Sequence, residues 1–346
     1  MDGAGGRPGA GNGGAVDGLE RARRGQGREA AGSPERARRD GRREAAGMAL
    51  GFLAVLLFSV TLPATRYAVA YLDPALIGPG RAVGAALAAA LILPLSPSRS
   101  GRRWPGREDV PGLLVVAAGT VVGFPLLSAL ALQELPATHG AVLVGLLPLA
   151  TAGMATWRAG ERPSPRFWLA ALTGTGLVLA YALHLGAGSA RAAGGVLLAA
   201  VLAAALGHAE GGRLARHLGG LAAIGWASLL SLPVTAWPVI QALREGVPGA
   251  PPAAWLALAY VSLVSQFAAF GLCYRGMATG GVARVSQVQL LQPFFTILLS
   301  ALLLGEPVRP STIATALLVL AAVVAGRRAP IARAMTNGDR AAQARS

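Results

Sequence analysis

The chain has 346 residues, of which 53% are hydrophobic and 14% are charged. Ordinary soluble domains carry about a quarter charged residues, so this composition excludes a soluble globular protein and is typical of one embedded in a bilayer. The formal charge of +15 arises from 31 arginines, without a lysine, against 16 acidic residues. The positions of the arginines therefore decide what this charge means.

Ten of the arginines precede Ala45, in a glycine-rich stretch without apolar periodicity. We predict that residues 1–45 form a disordered Arg/Gly-rich cytoplasmic tail. No aromatic residue stands among these arginines to stack on bases, so we expect anionic lipid headgroups as its partner and no nucleic acid. Cys273 is the single cysteine, which excludes an intramolecular disulfide and a thiolate cluster, and we expect neither a metal nor another cofactor.

Long apolar runs follow the tail. A bilayer core of about 30 Å needs about 20 apolar residues per helix. Only helices and closed barrels satisfy the backbone in lipid, and these runs are too long for barrel strands. The sequence predicts ten transmembrane helices, near positions 46–65, 75–95, 111–132, 138–157, 167–186, 193–210, 220–240, 253–274, 284–304 and 310–326.

The arginines also indicate orientation. If the amino terminus lies in the cytoplasm, 26 of the 31 arginines fall in cytoplasmic segments. The positive-inside rule therefore places both termini, including a C-terminal tail at 327–346, in the cytoplasm of a multi-pass protein of the cell membrane.

Landmarks of the fourth and fifth spans recur in the ninth and tenth. An offset of 145 residues separates Pro148 from Pro293, Glu161 from Glu306 and Pro165 from Pro310. A duplicated unit with an odd number of spans must enter the membrane from the opposite side. We predict an all-α membrane protein of two inverted five-helix repeats, 46–186 and 193–326. The fifth and tenth spans, rich in Ala, Leu and Val, are expected at the periphery against lipid or a second protomer, as in a homodimer.

The same residues resemble EamA-type transporters of the drug/metabolite transporter superfamily, over about 46–328. The resemblance is carried by Gly160-Glu161-Arg162 after Pro148, by Gln292-Pro293 with Gly305-Glu306-Pro307, and by Arg81. Phe58-Ser59 and Gln292-Pro293 stand where the family often has Trp-Gly and Glu-Pro. The resemblance implies two five-helix repeats, a small-molecule substrate and no catalytic residue.

Polar side chains within a span are costly in hydrocarbon and tend to face a cavity. Arg81 is either a handle for an anionic substrate or a side chain that reaches the outer headgroups. Further candidates for substrate binding are polar residues of the eighth and ninth spans: Gln266, Tyr274, Gln287, Gln289 and Gln292. Gln289 and Gln292 share a helix face, which indicates either a cavity lining or interhelical hydrogen bonding.

Two acids and two prolines have structural interpretations. Glu161 and Glu306 each precede a helix, where a carboxylate can accept hydrogen bonds from orphan amides. Pro148 and Pro293 lack an amide hydrogen and interrupt their helices, so we interpret them as hinges.

His208 and Glu210, near the end of the sixth span, form either a titratable pair for proton coupling or an interfacial cap. The organisation favours a secondary transporter that exports a small metabolite or drug-like molecule by alternating access. A membrane-embedded enzyme and a non-transporting scaffold are the alternatives. The sequence contains neither a His-Glu-x-x-His zinc motif nor a Gly-x-Ser-x-Gly nucleophile elbow, so we expect no enzyme activity.

Labelling of single cysteines in a Cys273→Ala background tests the predicted topology. The Glu161→Cys thiol should react with an impermeant reagent only from the cytoplasmic side, and the Glu306→Cys thiol only from outside. The physical reason is that inversion puts equivalent positions on opposite faces. Labelling of both thiols from the same side would contradict the inversion.

Overall fold

The computed structural model describes residues 34–95, 104–159, 162–163, 189–245, 249–280, 288–327 and 331–332, with isolated positions between 165 and 180. Apart from one two-residue antiparallel pairing, Arg162–Pro163 with Ile331–Ala332, the regular structure of these residues is helical. The α-helices are Pro34–Ser59, Thr61–Ala68, Pro74–Ile92, Val110–Val116, Phe124–Glu134, Ala137–Val144, Leu147–Ala159, Ser189–Leu214, Gly220–Arg244, Pro252–Ala259, Phe270–Gly280, Gln292–Leu304 and Pro310–Arg327.

Among the residues that the structure describes, six helical stretches are long and apolar enough to cross a bilayer: Gly41–Ala68, Pro74–Leu95, Val110–Glu134, Arg191–Leu214, Gly220–Arg244 and Pro252–Thr279. They correspond to the predicted first, second, third, sixth, seventh and eighth spans. Three shorter apolar helices, Ala137–Thr151, Gln289–Leu304 and Pro310–Ala322, correspond to the fourth, ninth and tenth. The predicted fifth span at 167–186 lies largely outside the described residues, so the number ten stays a prediction. The chain is a multi-pass membrane protein.

The ends of the helices follow from local sequence. The first helix begins at Pro34, upstream of the predicted start at 46, and residues 1–33 of the predicted tail lie outside the described residues. Asp73 caps the second span by accepting a hydrogen bond from the amide of Ala75 at 2.7 Å, ahead of Pro74 at the first helical position. Gly305 ends the ninth span with a left-handed φ of 66°, a conformation that glycine adopts without strain.

Helical geometry departs from the α form at matching places in the two repeats. A π-helical segment, Ala117–Gly123, lies within the third span, and another, Tyr260–Ala269, within the eighth. The fourth span breaks before a helix that begins at Leu147. The ninth changes from a 3₁₀ turn to a helix that begins at Gln292, 145 residues further on. The departures therefore repeat with the sequence.

Close contacts between glycines and backbone bring the spans together. A methyl group at Gly78 in the second span would lie 2.7 Å from the Cα of Leu126 in the third. A methyl group at Gly119 would lie 3.0 Å from the amide nitrogen of Gly207 in the sixth span. Helices in lipid associate through such close packing because lipid chains are as apolar as the helices themselves.

Large apolar side chains cover the outside of the bundle. Leu317 and Leu318 of the tenth span are half exposed, which suits a helix that faces lipid. The sequence predicts that the fifth and tenth spans both lie at the periphery. The fifth span is largely outside the described residues, so this pairing stays a prediction.

Gly78→Ala should lower the stability of the folded protein. The added methyl group would meet main-chain atoms of Leu126 that cannot move alone, and overpacking of this kind costs about 1–3 kcal/mol. Gly195→Ala is the control, because nothing lies within 4 Å of its Cβ position. Thermal unfolding of both variants in detergent measures the difference, and equal stability of the two would contradict the close contact.

Candidate functional site

A cavity lies between the two repeats. Its volume is about 30 Å³, room for roughly two water molecules. The residues that line it are Phe58, Thr61, Leu62, Arg81, Thr120, Phe124, Val144, Leu147, Ala204, His208, Ser265, Phe270 and Gln292. Apolar and aromatic walls with a few polar groups are typical of sites for small molecules.

Ten of the lining residues fall into pairs that are 145 to 147 positions apart in the chain. These offsets lie within two residues of the 145 that relates the landmarks of the two repeats. The pairs are Phe58 with Ala204, Thr61 with His208, Thr120 with Ser265, Phe124 with Phe270, and Leu147 with Gln292. The cavity is therefore built from equivalent positions of both repeats.

The π-helical segments supply polar groups to this cavity. Thr120 lies in the segment of the third span and Ser265 in that of the eighth. Gln266, also in the eighth-span segment, is buried but is not among the lining residues. The amide of Gln266 donates to the carbonyl oxygen of Thr120 at 3.4 Å, while its own Oε1 is buried without a hydrogen-bond partner among the described residues. π-helical turns are frequent at functional sites because they displace side chains from the regular helical register.

Arg81 is 1% exposed, so its side chain lies inside the bundle. Nη2 donates to Ser265 Oγ at 3.3 Å, and Ser265 Oγ is 2.8 Å from Thr61 Oγ1. Nε and Nη1 are buried and have no hydrogen-bond partner within the part of the chain that the structure describes. A buried charge that lacks partners is expensive, so this arrangement calls for an additional acceptor.

His208 and Phe270 line the cavity and form a cluster of rings with Tyr274. The His208 ring is 5.1 Å from that of Phe270 and 6.4 Å from that of Tyr274, both edge to face. Tyr274 is fully buried but is not among the lining residues. Of the two residues considered for proton coupling, His208 lines the cavity and Glu210 does not. The Glu210 carboxylate pairs with Arg213 at 2.6 Å.

The predicted polar face of the ninth span divides in the structure. Gln292 lines the cavity, whereas Gln289 donates to the Cys273 thiol at 3.4 Å. Gln289 precedes the break that starts a new helix at Gln292, so simple helical spacing does not relate the two. Gln287 and Glu161 lie outside the described residues.

A polar contact joins the repeats beside the start of the third span. Asp109 Oδ1 is 2.6 Å from His217 Nε2, and the Asp109 carboxylate also accepts a hydrogen bond from the amide of Gly106. Burial raises the pKa of Asp109, but the hydrogen bonds with His217 and Gly106 outweigh it and hold the pKa below its usual value. No pattern in the sequence indicates this pair, because its members are 108 positions apart.

Glu306 joins the repeats at the other end of the third span. Its two carboxylate oxygens accept hydrogen bonds from the amides of Ala137 and Thr138, both at 2.8 Å. The sequence predicted that Glu306 caps the tenth span, which it precedes. In the structure its carboxylate instead caps the fourth span, in the first repeat. Pro148 and Pro293 each occupy the second residue of an α-helix, which follows a turn in the fourth span and a 3₁₀ turn in the ninth, and this is compatible with hinges.

Similarity to known proteins extends over both repeats. The model of the EamA-like transporter family matches residues 45–182 and 193–325. A Bacillus subtilis (strain 168) protein described as uncharacterized transporter YdeK is 43% identical over 293 residues, which cover 82% of this chain and 97% of that protein. A protein of known crystal structure aligns with a TM-score of 0.55 and 20% identity, over 82% of this chain and 97% of its own, which supports the fold alone.

Glu306→Gln should destabilise the protein by about 1–2 kcal/mol, because an amide side chain cannot offer two charged acceptors to the amides of Ala137 and Thr138. Glu245→Gln is the matched control, since Glu245 is exposed at the end of the seventh span and should change stability by less than about 0.5 kcal/mol. Thermal unfolding in detergent provides the comparison. An equal effect of both substitutions would show that the cap contributes nothing.

Proposed function

This chain belongs to the EamA-like transporter family, and on that premise we propose that it is a secondary transporter of a small metabolite or drug-like molecule in the cytoplasmic membrane. The family match covers both repeats, and a relative described as a transporter aligns along nearly its whole length. Both favour a transporter over a membrane-embedded enzyme. We propose export as the direction on the resemblance to drug/metabolite transporters alone.

The cavity between the repeats is the observation that supports the proposal most strongly. Equivalent positions of two repeats line it, and it contains a buried cation, hydroxyl groups, an imidazole and an amide. In secondary transporters that are built from two repeats, the substrate binds near the midplane of the bilayer, where the repeats meet. We propose Arg81 and Gln292 as groups that contact the substrate, with His208 facing them.

Alternating access fits the contacts around this cavity. Asp109 with His217, and Glu306 with the amide of Ala137, join the repeats at opposite ends of the third span. A cavity of about 30 Å³ is too small for a metabolite, so we propose that one contact opens at a time while the cavity enlarges. The helix breaks before Pro148 and Pro293 are the proposed hinges.

Reconstituted protein tests this function with solutes of several chemical classes at once. Proteoliposomes are loaded with a mixture of amino acids, organic acids, nucleobases and the cationic dye ethidium, and mass spectrometry and fluorescence follow each solute as it leaves. At least one solute should leave faster than from protein-free vesicles. Gln292→Leu removes a proposed hydrogen bond to the substrate. The rate at which that solute leaves the vesicles should therefore fall by about two- to ten-fold.

Gln241→Leu is the control for that substitution, because Gln241 is partly exposed in the seventh span and is hydrogen-bonded to Arg244. Its transport rate should equal that of the unsubstituted protein at matched protein levels. The absence of protein-dependent movement for every solute would contradict transport, and equal rates for both variants would remove Gln292 from the site.

A further inference from the structure

We propose that the cavity, when it enlarges in the transport cycle, takes a small organic monoanion, held by its carboxylate on Arg81 and by its apolar body on the aromatic wall. The inference rests on the proposed transport function and specifies its substrate class. Three observations support this inference: the uncompensated charge of Arg81, its hydrogen-bond donors without acceptors, and the apolar lining of the cavity.

The charge of Arg81 is uncompensated by the described protein. In the described part of the chain, three acids with buried or half-buried side chains have partners elsewhere: Glu210 pairs with Arg213, Asp109 with His217, and Glu306 with backbone amides. Ser265 is the sole hydrogen-bond partner of the guanidinium in the described part of the chain. Because an unpaired charge at bilayer depth is unfavourable, an anion in the cavity would stabilise the folded protein.

The free donors of Arg81 define the chemistry of the anion. Nε and Nη1 remain without acceptors among the described residues, so two of the three nitrogens of a planar, permanently charged group are available. Nε and Nη1 lie on different edges of the guanidinium, so one carboxylate accepts from one of them, with the second hydrogen of Nη2 as its neighbour. Such charge-assisted hydrogen bonds are stronger than neutral ones. A cation or an uncharged amide would leave the charge uncompensated.

The walls of the cavity limit the ligand to one negative charge. Arg81 is the one permanently charged residue among the described residues that line it. Phe58, Phe124 and Phe270 provide flat apolar surface, where a second carboxylate would lose its hydration without a partner. The equivalent stretch of the second repeat, 226–228, reads Trp-Ala-Ser, so symmetry adds no second cation. The cavity therefore suits a monocarboxylate with an apolar body.

Thermal unfolding of the purified full chain in detergent tests the substrate class directly. The probes are benzoate, phenylacetate and hexanoate, each compared with its uncharged amide, together with the cation benzylamine and the dianion phthalate. At least one monocarboxylate should raise the unfolding temperature in a concentration-dependent manner, because a ligand of the folded state stabilises it. Its amide, benzylamine and phthalate should bind at least about tenfold more weakly.

Substitutions assign the effect to Arg81. Arg81→Gln should weaken monocarboxylate binding by about ten- to hundred-fold, and Arg81→Lys, which keeps the charge but lacks the planar fork, by a smaller factor. Arg66→Gln is the control, because Arg66 donates to the carbonyl oxygens of Leu132 and Gln133 outside the cavity lining. This variant should bind as the unsubstituted protein does. Arg81→Lys provides the comparison if Arg81→Gln does not fold.

Three results would overturn the proposal: no stabilisation by any monocarboxylate, equal stabilisation by an amide or by benzylamine, or binding that is unchanged in both Arg81 variants. The same solutes in proteoliposomes separate this inference from transport itself. Movement of neutral or cationic solutes alone would reject the monoanion and keep the transporter. Binding of a monocarboxylate without movement of any solute would keep the site and reject transport.

Discussion

The structure depends on the requirement that every backbone amide and carbonyl in lipid find a partner within the protein. Regular helices meet it along most of the described spans. The irregular segments, Ala117–Gly123 and Tyr260–Ala269 together with the breaks before Leu147 and Gln292, contribute residues to one cavity. Irregular backbone at membrane depth is tolerated where it is enclosed by protein or lines a cavity, so the site lies where the helices cannot be regular.

The repeated organisation could be predicted from the sequence because prolines and glutamates mark helix boundaries at fixed offsets. Arg81 and Gln292 could also be recognised, since a charge or an amide in an apolar span is conspicuous. Thr120 could not be recognised. A single hydroxyl in an apolar run can donate a hydrogen bond to its own helix as readily as it can line a cavity. Gln289 shares a predicted face with Gln292, but a change of helix type separates them. The partner of Glu306 depends on tertiary structure, which helical spacing does not contain.

The cavity combines symmetry of position with asymmetry of chemistry. Thr61 is matched by His208, and Leu147 by Gln292, so these two pairs differ in chemistry, whereas Thr120 and Ser265 both provide a hydroxyl group. Duplication supplies two similar frameworks, and later divergence of single side chains can make the site selective without altering how the frameworks move. The charge of Arg81 belongs to the first repeat alone. It would therefore contact the ligand whether the cavity opens to the cytoplasm or to the outside.

The bond between Glu306 and the start of the fourth span also has a consequence for biosynthesis. The amides of Ala137 and Thr138 belong to the first repeat, but the carboxylate that satisfies them is encoded 168 and 169 residues later. A nascent chain emerges from the amino terminus onward, so the fourth span enters the bilayer before its cap has been synthesised. The first repeat can therefore reach its final packing only after the ninth span has been inserted, and the two halves mature together.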